Sequence, residues 1–158
     1  METHMENNKM LYSHVSVDCV LLGVNEDKLC VLLIERQMDN SDEKRYKLPG
    51  SLIFENEDLD TAAHRVFNEA TGLKRVPLKQ FRSFGSPSRT KNKDDMQWLE
   101  NAMKLKIERI VTVAYLALSK IGRKSNPTNK YNSLAWFPVD ALPSLPFDHK
   151  EIIEAAVE

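Results

Sequence analysis

The chain has 158 residues and a mass of 18.1 kDa, enough for one domain whose core needs no disulfide or metal staple. Lysine plus arginine number 22 against 23 for aspartate plus glutamate, and the resulting charge of -1 excludes a surface built to coat nucleic acid or an anionic membrane. With 42% hydrophobic and 28% charged residues, disorder, collagen and coiled coil are excluded too.

Cys19 and Cys30 both stand in apolar stretches, and two cysteines cannot form a disulfide framework or a four-ligand zinc site. They read as buried thiols of a reducing compartment. The opening METHMENNKM has no apolar stretch, and no apolar run nears the roughly 20 residues that span a bilayer, so the expected location is cytoplasmic. Residues 1–14 are expected to be a flexible N-terminal segment and residues 15–158 a single domain.

Residues 15–24 and 29–35 are rich in Val, Leu, Ile and Cys and flank the turn-forming Asn25-Glu26-Asp27-Lys28, which predicts a β-hairpin near the middle of a sheet. Residues 38–44 are polar and predict a loop. A Pro-Gly break at Pro49-Gly50 then leads to the short apolar run Leu52-Ile53-Phe54. From Leu59 the apolar residues Leu59, Ala62, Ala63, Val66, Phe67 and Ala70 follow a helical period, with Asp58 able to cap the start and Gly72 the end. Residues 76–84 predict a strand and 85–93 a loop. Residues 95–104 predict a short helix on the spacing of Met96, Leu99 and Met103.

Strands are expected again at 109–118 and at 134–139, the latter with Trp136 and Phe137. A last helix opens at Asp148 with Glu151 three residues on, a capping-box pattern, and carries Ile152, Ile153, Ala156 and Val157 on one face. It runs to Glu158 with no stop signal, as expected of a chain cut from a longer one or ending against a partner. Strands mixed with two or three helices in this order predict an α/β or α+β sandwich.

One segment carries chemistry. Residues 48–73, LPGSLIFENEDLDTAAHRVFNEATGL, resemble the Nudix box, G-x(5)-E-x(7)-R-E-U-x-E-E-x-G-U with U apolar. Glu57, Arg65, Phe67, Glu69, Gly72 and Leu73 match it. Ser51, Val66 and Ala70 depart from it, the first at the opening glycine and the other two at glutamates. In that family the clustered glutamates of one helix face hold magnesium or manganese against a diphosphate, and hard cations of this kind need carboxylate oxygen. The same cluster here reads Val66, Glu69 and Ala70. The resemblance therefore implies a Nudix-type α/β/α sandwich with a mixed sheet whose hydrolase activity is lost, with Glu57 and Glu69 as a residual metal pair.

The segments VLLIER (31–36), IVTVAYLAL (110–118), AWFPV (135–139) and LPFDHKEI (145–152) extend the resemblance to the Nudix-related transcriptional regulators. In these a degenerate Nudix domain senses ADP-ribose or a sugar, and a winged helix-turn-helix binds DNA. For this chain the resemblance implies a dimeric domain with a small-molecule effector, no resident cofactor, and DNA contact only through a winged helix that the chain lacks. The competing enzyme reading is a divergent magnesium- or manganese-dependent hydrolase of ADP-ribose or other nucleoside diphosphate derivatives. It requires Glu57, Glu69 and an acid from elsewhere, such as Glu100 or Glu108. A ligand-free interaction scaffold is a third reading.

Arg36, Arg65 and Arg89 are the candidate ligand contacts, since a planar guanidinium fork suits phosphate. Each has an ordinary alternative. Arg65 can hold the box together, Arg36 can be an exposed strand-end arginine, and Arg82, Arg89, Lys91 and Lys93 can be a solvated basic loop. His149 reads as a residue at a helix start and His64 as lying on the polar side of the box helix. Trp136 and Phe137 read as core, with stacking on an adenine-like ring the alternative.

Overall fold

The computed structural model describes residues 10–36, 44–120 and 134–158. Residues 1–9 of the expected flexible segment and 38–43 of the expected loop lie outside these. In chain order the strands are β1 (Leu11–Asn25), β2 (Lys28–Arg36), β3 (Arg45–Lys47), β4 (Gly50–Phe54), β5 (Lys79–Phe84), β6 (Val111–Lys120) and β7 (Leu134–Pro138). The helices are α1 (Leu59–Thr71), α2 (Lys93–Met103) and α3 (His149–Val157), with a 3-10 turn at Pro87–Thr90.

All seven strands form one sheet whose main order is β3-β2-β1-β6-β5, with β4 on β1 and β7 on β2. β1 and β6 run parallel from Val15↔Val111 to Val24↔Lys120, while the remaining pairs are antiparallel, so the sheet is mixed. A strand covered on both faces needs an apolar residue at nearly every position, which is how residues 19–22 of β1 and 29–34 of β2 read. Alternation along β1 and β6 sends Val17, Cys19, Leu21, Val113, Tyr115 and Ala117 toward α1. It sends Val20, Leu22 and Ala114 toward Ile152 and Ile153 of α3. This is the α/β/α sandwich expected from the sequence.

α1 forms where its period and caps place it. Asp58 Oδ1 accepts from the Thr61 amide at 3.0 Å, and Gly72 closes the helix at φ 75 with its N–H on the Asn68 carbonyl. That amide bond holds the Asp58 carboxyl below its ordinary pKa. Burial and the bond to Asp60 Oδ1, at 2.6 Å, push the Tyr115 hydroxyl pKa well up and pin the start of α1 to β6.

Several boundaries differ from expectation. Strand structure begins at Leu11, because Leu11 pairs with Phe54 of β4, a partner the local pattern does not reveal. The three-residue β3 is too short to show any period. The capping box at Asp148 does not form: Asp148 makes no side-chain cap bond and its carboxylate turns to Arg89 instead.

The β1–β2 turn holds Glu26 at φ 50 and Asp27 at φ 70, between the paired Asn25 and Lys28. Both central residues are left-handed, as a type I′ hairpin requires, yet neither is glycine. Asp27→Gly should raise stability by about 0.5–1 kcal/mol, read as a higher urea midpoint at unchanged slope. A lower midpoint would show that Asp27 makes a compensating contact in the native turn.

Candidate functional site

The box loop and α1 are joined by one arginine. Arg65 Nε donates to Glu57 Oε2 at 2.7 Å and Nη2 to Glu57 Oε1 at 2.9 Å, a bidentate pair, while Nη2 also reaches the Leu52 carbonyl at 3.3 Å. Glu57 Oε1 accepts from the Phe54 amide at 3.0 Å, and the Phe54 ring lies 4.1 Å under the guanidinium. Glu69, one turn on from Arg65, sits 3.6 Å from its Nη1. Both carboxylates expected as a residual metal pair thus converge on Arg65.

The other two acid positions of the box are not merely neutral. Val66 is 4% exposed and Ala70 2%, and Val66 packs in the cluster that includes Leu32, Phe67 and Val113. Buried apolar side chains stand at two of the three clustered acid positions of the box. Among the described residues no three His, Cys, Asp or Glu side chains gather as metal ligands. Glu100, one acid considered for rebuilding such a site, instead accepts from the Ile107 amide at 2.8 Å, and Glu108 is exposed. Of the three clustered acid positions of the box, only Glu69 carries a carboxylate.

A second polar centre lies on the sheet face toward α3. Asp18 interrupts the apolar run of β1, and its Oδ2 accepts from the Thr112 hydroxyl at 2.6 Å. Its Oδ1 stands 3.5 Å from His149 Nε2, while His149 Nδ1 accepts from the Leu48 amide at 3.2 Å, which fixes the ring as the Nε2–H tautomer. Arg89 Nη2 is 3.9 Å from Asp18 and 3.0 Å from Asp148, and its Nη1 donates to the Ile110 carbonyl at 2.9 Å. Arg89 is therefore buried, unlike the exposed Arg82, Lys91 and Lys93 with which it forms a basic cluster in sequence. Lys47 Nζ donates to the Gly50 carbonyl at 3.1 Å, and burial pulls its pKa down to about 8 against the pull of Asp18.

Gly50 makes this packing feasible. A Cβ there would lie 2.0 Å from Asp18 Oδ1 and 2.8 Å from the Val17 carbonyl. These groups line a cavity of about 40 Å³ together with Ser16, Ser51, Trp98 and Phe147, room for a water or so and far less than a nucleotide. Arg36, a candidate ligand contact whose alternative was an exposed strand-end arginine, is buried, 3.4 Å from Asp95 Oδ1 and stacked at 4.8 Å on Trp98. Sequence reasoning passed over Asp18, Lys47, Asp95 and Trp98. A carboxylate inside the apolar run at 15–24 was the available signal for the first.

Burial pushes His149 down from an ordinary 6.5 to about 4, with Lys47 and Arg89 adding to the drop and Asp18 and Asp148 opposing it. Between those values the unfolded chain binds the proton and the folded chain does not, so stability complete above pH 6.5 is lost as pH falls toward 4. The loss should reach about 3 kcal/mol, read from urea midpoints at pH 7.5 and 4, with a visibly flatter profile in His149→Asn. Equal profiles would remove His149 as the cause.

A mixed sheet between two helical layers, with a box loop clamped to its helix by Arg65, defines a Nudix-type domain. The NUDIX domain matches over residues 12–156, and the chain belongs to that family. It is 29% identical over 147 residues to the ADPR responsive transcriptional repressor NtrR of Acinetobacter baylyi, covering 90% of this chain and 52% of the repressor. The chain thus spans about half the length of the curated relative it matches. The NUDIX domain of Shewanella oneidensis NrtR complexed with ADP ribose superposes with a TM-score of 0.66 at 23% identity, covering 99% of this chain and 97% of that one. The structure of Shewanella oneidensis NrtR gives 0.66 at 26% identity over 90% of this chain and 61% of that one. Among the described residues no helix is long and apolar enough to cross a membrane.

Proposed function

We propose that this domain senses a nucleotide sugar of the ADP-ribose type, or a sugar, as the effector-binding part of a dimeric cytoplasmic transcriptional regulator, and does not hydrolyse it. DNA contact would belong to a separate module. The observation that carries the non-catalytic reading is the burial of Val66 and Ala70 in apolar core at the two positions where the box needs metal-binding carboxylate. Arg65 then serves as the structural clamp of the box. Arg89, which lines the cavity, and Arg36, stacked on Trp98 beside it, are the arginines this reading assigns to the ligand. Likeness to a repressor named as ADPR responsive supports the choice of effector.

The test is thermal stabilisation by ADP-ribose, NAD and simple sugars, paired with chromatography of ADP-ribose incubated with the protein and magnesium or manganese. Stabilisation by ADP-ribose without release of AMP is the expected outcome. Metal-dependent release of AMP, abolished by Glu69→Gln, would establish the hydrolase instead.

A further inference from the structure

α2 roofs the cavity with Trp98 and Leu99 yet buries none of its own residues. Met96, Leu99 and Met103 rest part-buried on Leu52, Ile107 and Ile110. An element with so little buried apolar surface belongs to the low-stability part of a fold. Its first turn is fastened by one carboxylate: Asp95 Oδ1 accepts from Arg36 Nη1 at 3.4 Å, and Oδ2 accepts from the Phe147 amide at 2.9 Å.

The two donors belong to β2 and to the loop before α3, and they have the character of an anion site. Arg36 is buried and its Nε has no hydrogen-bond partner. Phe147 sits at φ 52, a conformation that a side-chain-bearing residue keeps only where its surroundings hold it there. A guanidinium fork with a spare donor, a backbone N–H and the aromatic planes of Trp98 and Phe147 are groups that hold a phosphate beside a nucleobase.

We propose that Asp95 is a built-in stand-in for a ligand phosphate: the diphosphate of a nucleotide ligand takes over Arg36 and the Phe147 amide, Asp95 is released, and α2 lifts off the cavity. This rests on the nucleotide-sugar reading above and adds how the site opens. Two constraints require the exchange. The cavity of about 40 Å³ beneath Trp98 and Leu99 is smaller than a nucleotide, so a ligand that fills it must displace α2. A buried guanidinium stripped of its counter-ion is strongly unfavourable, so Asp95 leaves only when another anion replaces it. Ligand and Asp95 compete, and weakening one strengthens the other.

Hydrogen exchange and calorimetry on the whole chain, wild type and Asp95→Asn, test this with inorganic pyrophosphate and ADP-ribose as separate probes at matched ionic strength. Asp95→Asn should bind pyrophosphate roughly tenfold tighter than wild type. Saturating pyrophosphate should speed exchange across residues 93–103 of the wild type. Equal or weaker binding by Asp95→Asn, or slower exchange across those residues, overturns the stand-in. Should Asp95→Asn not fold, the wild-type exchange result decides alone. The ADP-ribose arm keeps the two readings apart. A positive pyrophosphate result without ADP-ribose binding rejects the effector and keeps the exchange, and the reverse pattern does the opposite.

Discussion

Gly50→Ala is expected to destabilise the domain by about 3–5 kcal/mol, the range for leaving buried charge without its partners. The new methyl would stand 2.0 Å from Asp18 Oδ1, so the carboxylate must move. Its displacement strips the Thr112 hydroxyl of its acceptor and takes the nearest carboxylate away from His149. It also removes one of the two carboxylates beside Arg89, which keeps only Asp148 at 3.0 Å. Urea midpoints at unchanged slope give the number. The double-mutant cycle with Asp18→Ala gives the mechanism. With no carboxylate in the way the added cost of alanine should shrink, leaving only the 2.8 Å approach to the Val17 carbonyl. An unchanged increment would locate the strain in the backbone and not at Asp18.

What the sequence made legible was local. The period from Leu59 to Ala70, the cap at Asp58 and the stop at Gly72 are one helix's own chemistry, and each is found where expected. The box spacing holds as well, since Glu57 and Arg65 meet across the loop. Illegible were contacts set by the sheet. Thr112 reaches Asp18 across 94 positions, the Leu48 amide reaches His149 across 101, and Arg89 reaches Asp148 across 59. None leaves a pattern in its own neighbourhood. Arg89 illustrates the failure: its neighbours in sequence are exposed cations, so composition reads a solvated loop, while a short 3-10 turn aims its guanidinium between two carboxylates. Asp148 illustrates the converse. A capping pattern was present, but the pull of a buried arginine outweighs a single cap bond worth about 1 kcal/mol.

Restoring the box glutamates should destabilise the domain and yield no metal-dependent turnover. Val66→Glu places a carboxylate at a position 4% exposed, against Leu32, Phe67 and Val113. The adjacent cation, Arg65, already holds both oxygens of Glu57 and sits beside Glu69. The new acid must stay protonated or remain charged without a partner, and with the lost valine packing the cost should be about 3 kcal/mol or more. For a domain of this size that lowers the melting temperature by roughly 6–12 °C. Ala70→Glu adds volume to a site 2% exposed and compounds the loss through overpacking. The double variant should therefore melt early and release no AMP from ADP-ribose with magnesium or manganese. Val66→Thr, nearly the same shape with one hydroxyl, should fall between wild type and Val66→Glu if desolvation sets the order. A double variant that keeps its melting temperature and gains metal-dependent turnover would mean that this helix face still has room for the ion, and that only its ligands had been lost.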